Sequence, residues 1–295
     1  MKNTVFALIL LAGVSFVAGA QTQPQGESGR YMGGLLDHRS RYGEFWFPEP
    51  LRGPEMDVDR EFRVDWFHGE KRGFQQDEVT AELEYNFGLL TLEAEVPYER
   101  ESESSFDPVT GRTERDTTDG LGSIEFSARH PVFQFVSGDG FFDYTLVAAL
   151  EVAVPTRTKV SKDTELVPQL FQLFRFGEHL SVQTSVGYSM LIGGEEGGAS
   201  ALEYGVVLGY NLEHEELPIP GVLRTIPIFE VNGDWGLSRE EAGHNALFGT
   251  AGVRLNFASI GPAQPRIGVG YVFPMDQGAR DELRWGVVTS LVFEF

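Results

Sequence analysis

The chain carries 44 acidic against 23 basic side chains in 295 residues, a net charge of −21. That balance excludes a nucleic-acid partner, because phosphate binding needs clustered Lys and Arg. There is no cysteine, so there are no disulfides and no lipid anchor on sulfur. Hydrophobic content of 41% suits strands that need only one apolar face.

Residues 1–20 hold one charge, Lys2, then an apolar run from Val5 to Val17 and the sequence Ala18-Gly19-Ala20. This predicts a secretory signal peptide with Gln21 as the mature N-terminus; a short membrane anchor is the alternative. No later run reaches the roughly 18 apolar residues of a transmembrane helix, so any membrane crossing must be made by strands. Residues 21–58 differ in kind. Gln21–Arg30 is polar and reads as disordered. Tyr31, Tyr42, Phe45, Trp46 and Phe47 then form an aromatic patch. It reads either as a small plug in the barrel mouth or as a tether along its rim.

From residue 59 onward the pattern is of period two, which predicts β-strands. The first runs from Asp59 to Phe67 with Phe62, Val64 and Trp66 on one face. Glu78–Phe87 and a return strand from Leu90 to Tyr98 make a hairpin around Gly88. Ser123–Phe133, Phe142–Val154 and Val167–Phe176 follow, the last ambiguous because both faces are apolar. Leu180–Ile192 places Ser181, Gln183, Ser185 and Ser189 on its polar face. Leu202–Leu212, Leu223–Val231, Leu247–Phe257, Ile267–Phe273 and Leu283–Phe295 bring the count to twelve. Nine to twelve residues is the length that a tilted strand needs to cross hydrocarbon.

The connections alternate. Those at Gly88, 136–140, 177–179, 213–221 and 258–265 are mostly short. Those at 68–77, 99–120, 155–166, 193–201, 232–246 and 274–282 are mostly longer and richer in charge or Gly. Short periplasmic turns opposite longer outer loops are the pattern of outer-membrane barrels. An even count puts both termini on the periplasmic side. Aromatics form two bands, with Tyr85, Phe87, Phe133, Phe135, Phe174, Phe176, Tyr210 and Phe257 near one rim. Trp66, Tyr98, Tyr188, Tyr204, Phe248, Phe273 and Trp285 fall near the other.

The polar faces point to a charged lumen. Its candidate lining residues are Glu82, Glu84, Glu93, Glu95, Glu125, Glu151, Glu203 and Glu230, with Arg63, Arg129, Arg224, Arg254 and Arg284. Glu82, Glu84, Glu93 and Glu95 fall side by side on adjacent strands and need neutralising, because facing like charges destabilise a strand pair. Two readings stay open: a constriction that selects solutes, or a salt-bridge network that stiffens a narrow barrel. Twelve strands permit either. Catalysis is disfavoured, and neither a metal nor a cofactor is expected. None of the six His lies in a metal-binding pair, and Gly-x-Ser-x-Gly is absent. So is the His-x-Ser-Asn-Gly motif of outer-membrane phospholipases. Gly193–Gly198 and Asp57-Val-Asp59 read as turns whose carboxylates would bind Ca²⁺ weakly at most.

The last strand alternates Trp285, Val287, Thr289, Leu291, Phe293 and Phe295 with smaller or polar residues. An apolar-out strand ending in Phe resembles the C-terminal signature of bacterial outer-membrane β-barrels. Trp285, Leu291, Phe293 and Phe295 would then be read by the barrel assembly machinery. A soluble periplasmic β-sandwich is the rival.

Four further stretches carry a likeness to one family. They are Gly-Leu-Gly-Ser-Ile-Glu-Phe at 120–126, Leu-Glu-Val-Ala-Val-Pro-Thr at 150–156, Gly-Glu-His-Leu-Ser-Val-Gln-Thr-Ser-Val-Gly-Tyr at 177–188, and Gly-Val-Gly-Tyr-Val-Phe-Pro ending at Pro274. Over about residues 59–295 the chain resembles the transporter barrels named for the MetA pathway of phenol degradation. The resemblance implies a Gram-negative outer-membrane protein that moves small, often hydrophobic or aromatic compounds. It supplies no catalytic or binding residues.

The expectation is an all-β protein: a transmembrane, antiparallel, up-and-down barrel of about twelve strands at 59–295. It follows a signal peptide at 1–20 and a periplasmic segment or plug at 21–58. Its partners are membrane lipid, the assembly machinery and a small solute. It passes that solute by passive diffusion, or else serves as a non-conducting structural or surface-interaction barrel.

Overall fold

A computed structural model of the chain describes residues 50–54, 60–87, 90–107, 112–137, 141–156, 158, 163–192, 198–238 and 242–295. Residues 1–20, expected to be a signal peptide, the aromatic patch at 31–47, Asp57, Asp59 and most of the Gly193–Gly198 stretch lie outside these. The strands are β1 (Glu61–Lys71), β2 (Phe74–Asn86), β3 (Thr91–Asp107), β4 (Arg112–Leu121), β5 (Ile124–Val136), β6 (Phe142–Val154) and β7 (Thr164–Phe176). Then come β8 (Leu180–Ile192), β9 (Ser200–Tyr210), β10 (Leu212–Glu213), β11 (Val222–Gly236), β12 (Asn245–Phe257), β13 (Gln264–Pro274), the short helix α1 (Gln277–Glu282) and β14 (Trp285–Glu294).

Every strand pairs antiparallel with its neighbour, and β1 pairs with β14 from Glu61↔Glu294 to Glu70↔Trp285, so the sheet closes on itself. Twelve strands are staves of the barrel. β4 pairs only with β3 and prolongs the β5 stave above the wall, while β10 is a two-residue flap on β11. Closure leaves no wall edge unpaired, which a strand in hydrocarbon requires. Pro131 lacks a donor, and it sits where the β5–β6 register slips, between Pro131 and Phe133.

Strand parity sorts the side chains as the period-two pattern predicts. Leu83, Leu92, Phe126, Phe133, Leu170, Leu208, Phe229, Val269 and Leu291 face outward, and their alternates are buried in the interior. Val167–Phe176, ambiguous in the sequence, resolves here: Val167, Phe171 and Leu173 point inward and are nearly inaccessible. An outer face this apolar around a closed hydrogen-bonded wall defines a transmembrane β-barrel.

The structure corrects several boundaries. The connection at 68–77 is not a long loop: β1 and β2 run on to a two-residue turn, Arg72–Gly73, with Gly73 at φ 79°. Within 99–120, β3 runs on to Asp107 and pairs antiparallel with β4 from Arg112, so the described residues there are strand and not irregular loop. Pro274–Glu282 contains α1, whose N-cap Asp276 accepts from Ala279 N at 2.9 Å. These stretches are polar because they rise above the apolar belt, so their strands show no hydrophobic alternation.

An even number of staves brings the two ends of the wall together, and Phe295 N donates to Arg60 O at 2.8 Å. This end, where Phe87 meets Leu90 and Phe141 meets Gly177, is the turn end below. The opposite, with the β3–β4 pair and α1, is the loop end.

Candidate functional site

The interior is sorted along its axis by charge. Near the turn end, Glu84 on β2 faces Glu93 on β3 in register, and Glu82 faces Glu95. Carboxylate oxygens of Glu82, Glu84 and Glu93 lie within 4.8 Å of one another. At that distance like charges repel by on the order of 3 kcal/mol per pair at an effective dielectric constant near 20. The Arg129 guanidinium from β5 answers this, donating to both Glu84 and Glu93. Arg63 from β1 stands 2.6 Å from Asp65 and 3.9 Å from Glu82. Arg266 pairs with Glu294, Arg175 lies 3.8 Å from Asp143, and Arg224 reaches Glu213 at 2.8 Å. The three clustered carboxylates are thus met by Arg129 and, at longer range, by Arg63.

The next level is not polar, contrary to the expectation that every inward face would be. Val147, Ala149, Phe171, Leu173, Val207, Ile226 and Ile228, from β6, β7, β9 and β11, form a buried apolar wall. A strand facing packed side chains instead of water gains by burying apolar groups, so its inward face follows core rules.

Pro50–Pro54 lies inside the barrel. Leu51 N, Arg52 N and Gly53 N all point at the fully buried Glu230 carboxylate, the latter two at 3.0 and 3.1 Å. Pro50 O accepts from Arg63 at 2.9 Å and from Arg254 at 3.1 Å. The Leu51 side chain is 1% exposed and belongs to the same apolar cluster. It sits against Gly252, Gly268 and Gly270, where a Cβ at either of the first two would overlap its methyl groups and one at the third would press on them. A leucine here needs three bare backbones beside it. Glu230, Arg63 and Arg254 therefore act on the inserted segment, a role that strand parity alone could not show.

Toward the loop end lies a cavity of about 330 Å³. Eight carboxylates line it, from Asp65, Glu78, Glu82, Glu95, Glu125, Glu151, Glu203 and Asp234, against two guanidinium groups, Arg52 and Arg63. Gln169 on its wall donates to Glu151 at 3.2 Å. Phe67 and Phe248 supply apolar patches. Phe248, expected in the outer aromatic band, points into this cavity instead.

Arg284 corrects another expectation. It precedes β14, is exposed at the loop end, and gives its backbone N–H to Glu70 O at 2.8 Å. Its position before the strand removes it from the alternation that seemed to turn it inward. Asp65, Glu78, Asp234 and Arg52 were missed. Asp65 and Asp234 share the inward parity of Arg63 and Glu230, a signal present in the sequence. On the outside, Trp66, His68 and Trp285 stack at the loop-end rim, with centroids 6.0 and 5.5 Å apart. Tyr144, Phe174, Phe142 and Phe176 cluster at the turn end.

A closed apolar-out barrel with a partly filled, charged interior belongs to the class of outer-membrane-type β-barrels. No protein-family model and no curated protein matches the chain. Among solved structures it is similar to an outer-membrane channel from Pseudomonas putida F1, at 15% identity over 84% of this chain and 100% of that one, with a TM-score of 0.54. It is also similar, more distantly, to the NanC porin, at 8% identity over 79% and 98% of the two chains, with a TM-score of 0.46. At these identities the likeness is one of fold.

Proposed function

We propose that the protein resides in the outer membrane with the turn end periplasmic, and passes small solutes by passive diffusion through the barrel. The acid-lined cavity is the observation that carries this reading. Eight carboxylates in a low-dielectric wall focus a negative potential on the path, which concentrates cations and repels anions. The solute class that suits the cavity is a small cation with an apolar or flat part, since Phe67 and Phe248 share the lining. The sequence resemblance to the MetA-pathway transporter barrels supports the same reading. No catalysis is part of this reading. Recording currents from purified protein in planar bilayers tests it, and cation-selective single-channel steps are expected.

A second reading has an observation of its own. The apolar wall and the inserted Pro50–Pro54 occupy part of the interior. A barrel so filled would serve as a structural or surface-interaction element and show no current at all.

A further inference from the structure

Arg52 reaches the cavity from the inserted segment, not from the barrel wall. Its guanidinium carbon lies 3.9 Å from the centre of the Phe67 ring, and its Nη1 lies 3.6 Å from a Glu78 carboxylate oxygen. An aromatic face with a carboxylate beside it is a recognised way to hold a flat cation. The backbone behind it is fixed, because Arg52 N and its two neighbours are bound by Glu230. The other guanidinium on the lining, Arg63, is committed to Asp65 and Pro50 O. Arg52 is therefore the cation that the segment inserts into an otherwise acidic chamber.

We infer that Phe67 and Glu78 form a guanidinium- or amine-binding subsite, and that Arg52 is a tethered competitor occupying it. The inference deepens the cation-transport reading and rests on it for the identity of the cargo. A free guanidinium or primary ammonium compound of similar size has to displace Arg52 to enter. Tethering sets the competition. A group held by a short segment has an effective concentration in the millimolar range, so external cations must reach that range to bind. Removing the Arg52 charge should lower the required concentration by at least tenfold.

The test titrates methylguanidinium chloride into the full-length protein in detergent, read by calorimetry. Arg52→Met keeps the bulk and removes the charge. Arg52→Lys keeps the charge. Leu51→Ala loosens the segment and keeps the guanidinium. The inference requires that R52M bind the probe at least ten times more tightly than the natural protein and R52K, and that adding Glu78→Gln to R52M abolish the gain. L51A should gain as well, since a looser tether lowers the effective concentration of Arg52, but an L51A gain larger than that of R52M would overturn it, since the guanidinium would then not be what the probe displaces. So would an R52M variant that binds no better. The transport reading fails separately: R52M that binds the probe yet carries no current in bilayers would end transport and leave the subsite standing.

Discussion

Glu230 on β11 holds Leu51 by its backbone N–H across 179 residues of chain, and in doing so fixes the Pro50–Pro54 segment inside the barrel. The acid is fully buried and is matched by three backbone donors instead of by a base. Replacing it by Ala strands those donors, a loss of about 1–3 kcal/mol for each left unpaired. The chain has no cysteine of its own, so a single Cys at Leu51 reports on the segment. Maleimide labelling of Leu51→Cys should be slow, and at least tenfold faster when Glu230→Ala is added. Equal rates would show that Glu230 does not hold the segment.

The glycine socket makes a second prediction. Gly268→Val puts a branched side chain where Leu51 sits. It should expel the segment and raise labelling at position 51 as Glu230→Ala does, with the barrel still folded by its heat-dependent gel mobility. Protection unchanged from the parent would mean that Leu51 lies elsewhere.

Arg129 is the charge on which the turn-end network depends. It is 1% exposed and donates to two buried carboxylates. Arg129→Met should cost about 3–5 kcal/mol, because breaking a buried pair leaves uncompensated charge. Adding Glu84→Gln and Glu93→Gln should restore most of it. Thermal unfolding of the single and triple variants checks the order, and a triple variant no more stable than the single would contradict it.

Asp276 gives a pH dependence outside the membrane. Partial burial works to raise its pKa, but donation from Ala279 N, Leu247 N and Asn245 Nδ2 prevails and holds it below 3.8. A carboxylate with a depressed folded pKa contributes stability that is present above its unfolded value and lost as pH falls through its folded one. Asp276→Asn should therefore lower the melting temperature at pH 7, and the gap should close as the pH falls through the lowered pKa of Asp276. A gap that widens on acidification would reverse the assignment.

How much of this was legible in the sequence follows from what each strand touches. β6 and β8 could be bounded to the residue, since Phe142–Val154 and Leu180–Ile192 alternate between lipid and interior over their whole length. The β1–β2 turn was misplaced because His68, Glu70, Gln75 and Asp77 continue the strands above the apolar belt, where both faces meet water. The apolar wall was hidden for the opposite reason: Phe171 and Leu173 face protein inside, while Leu170 and Phe174 lie on the other face. Period two cannot tell lipid from packed core. The lumenal acids from Glu82 to Glu230 could be named by parity, as could Arg63 and Arg129, but which acid each base meets could not. Leu51 and Arg52 lie in a segment without periodicity, so nothing in the sequence placed them against Glu230 and Glu78.

The most direct measurement is the reversal potential of single channels in a tenfold KCl gradient. The account predicts current carried mainly by K⁺, with the reversal potential shifting toward zero when Glu95, Glu125 and Glu203 are all replaced by Gln. Anion-selective current, a reversal potential that the triple variant leaves unchanged, or no current from protein shown to be folded would contradict it.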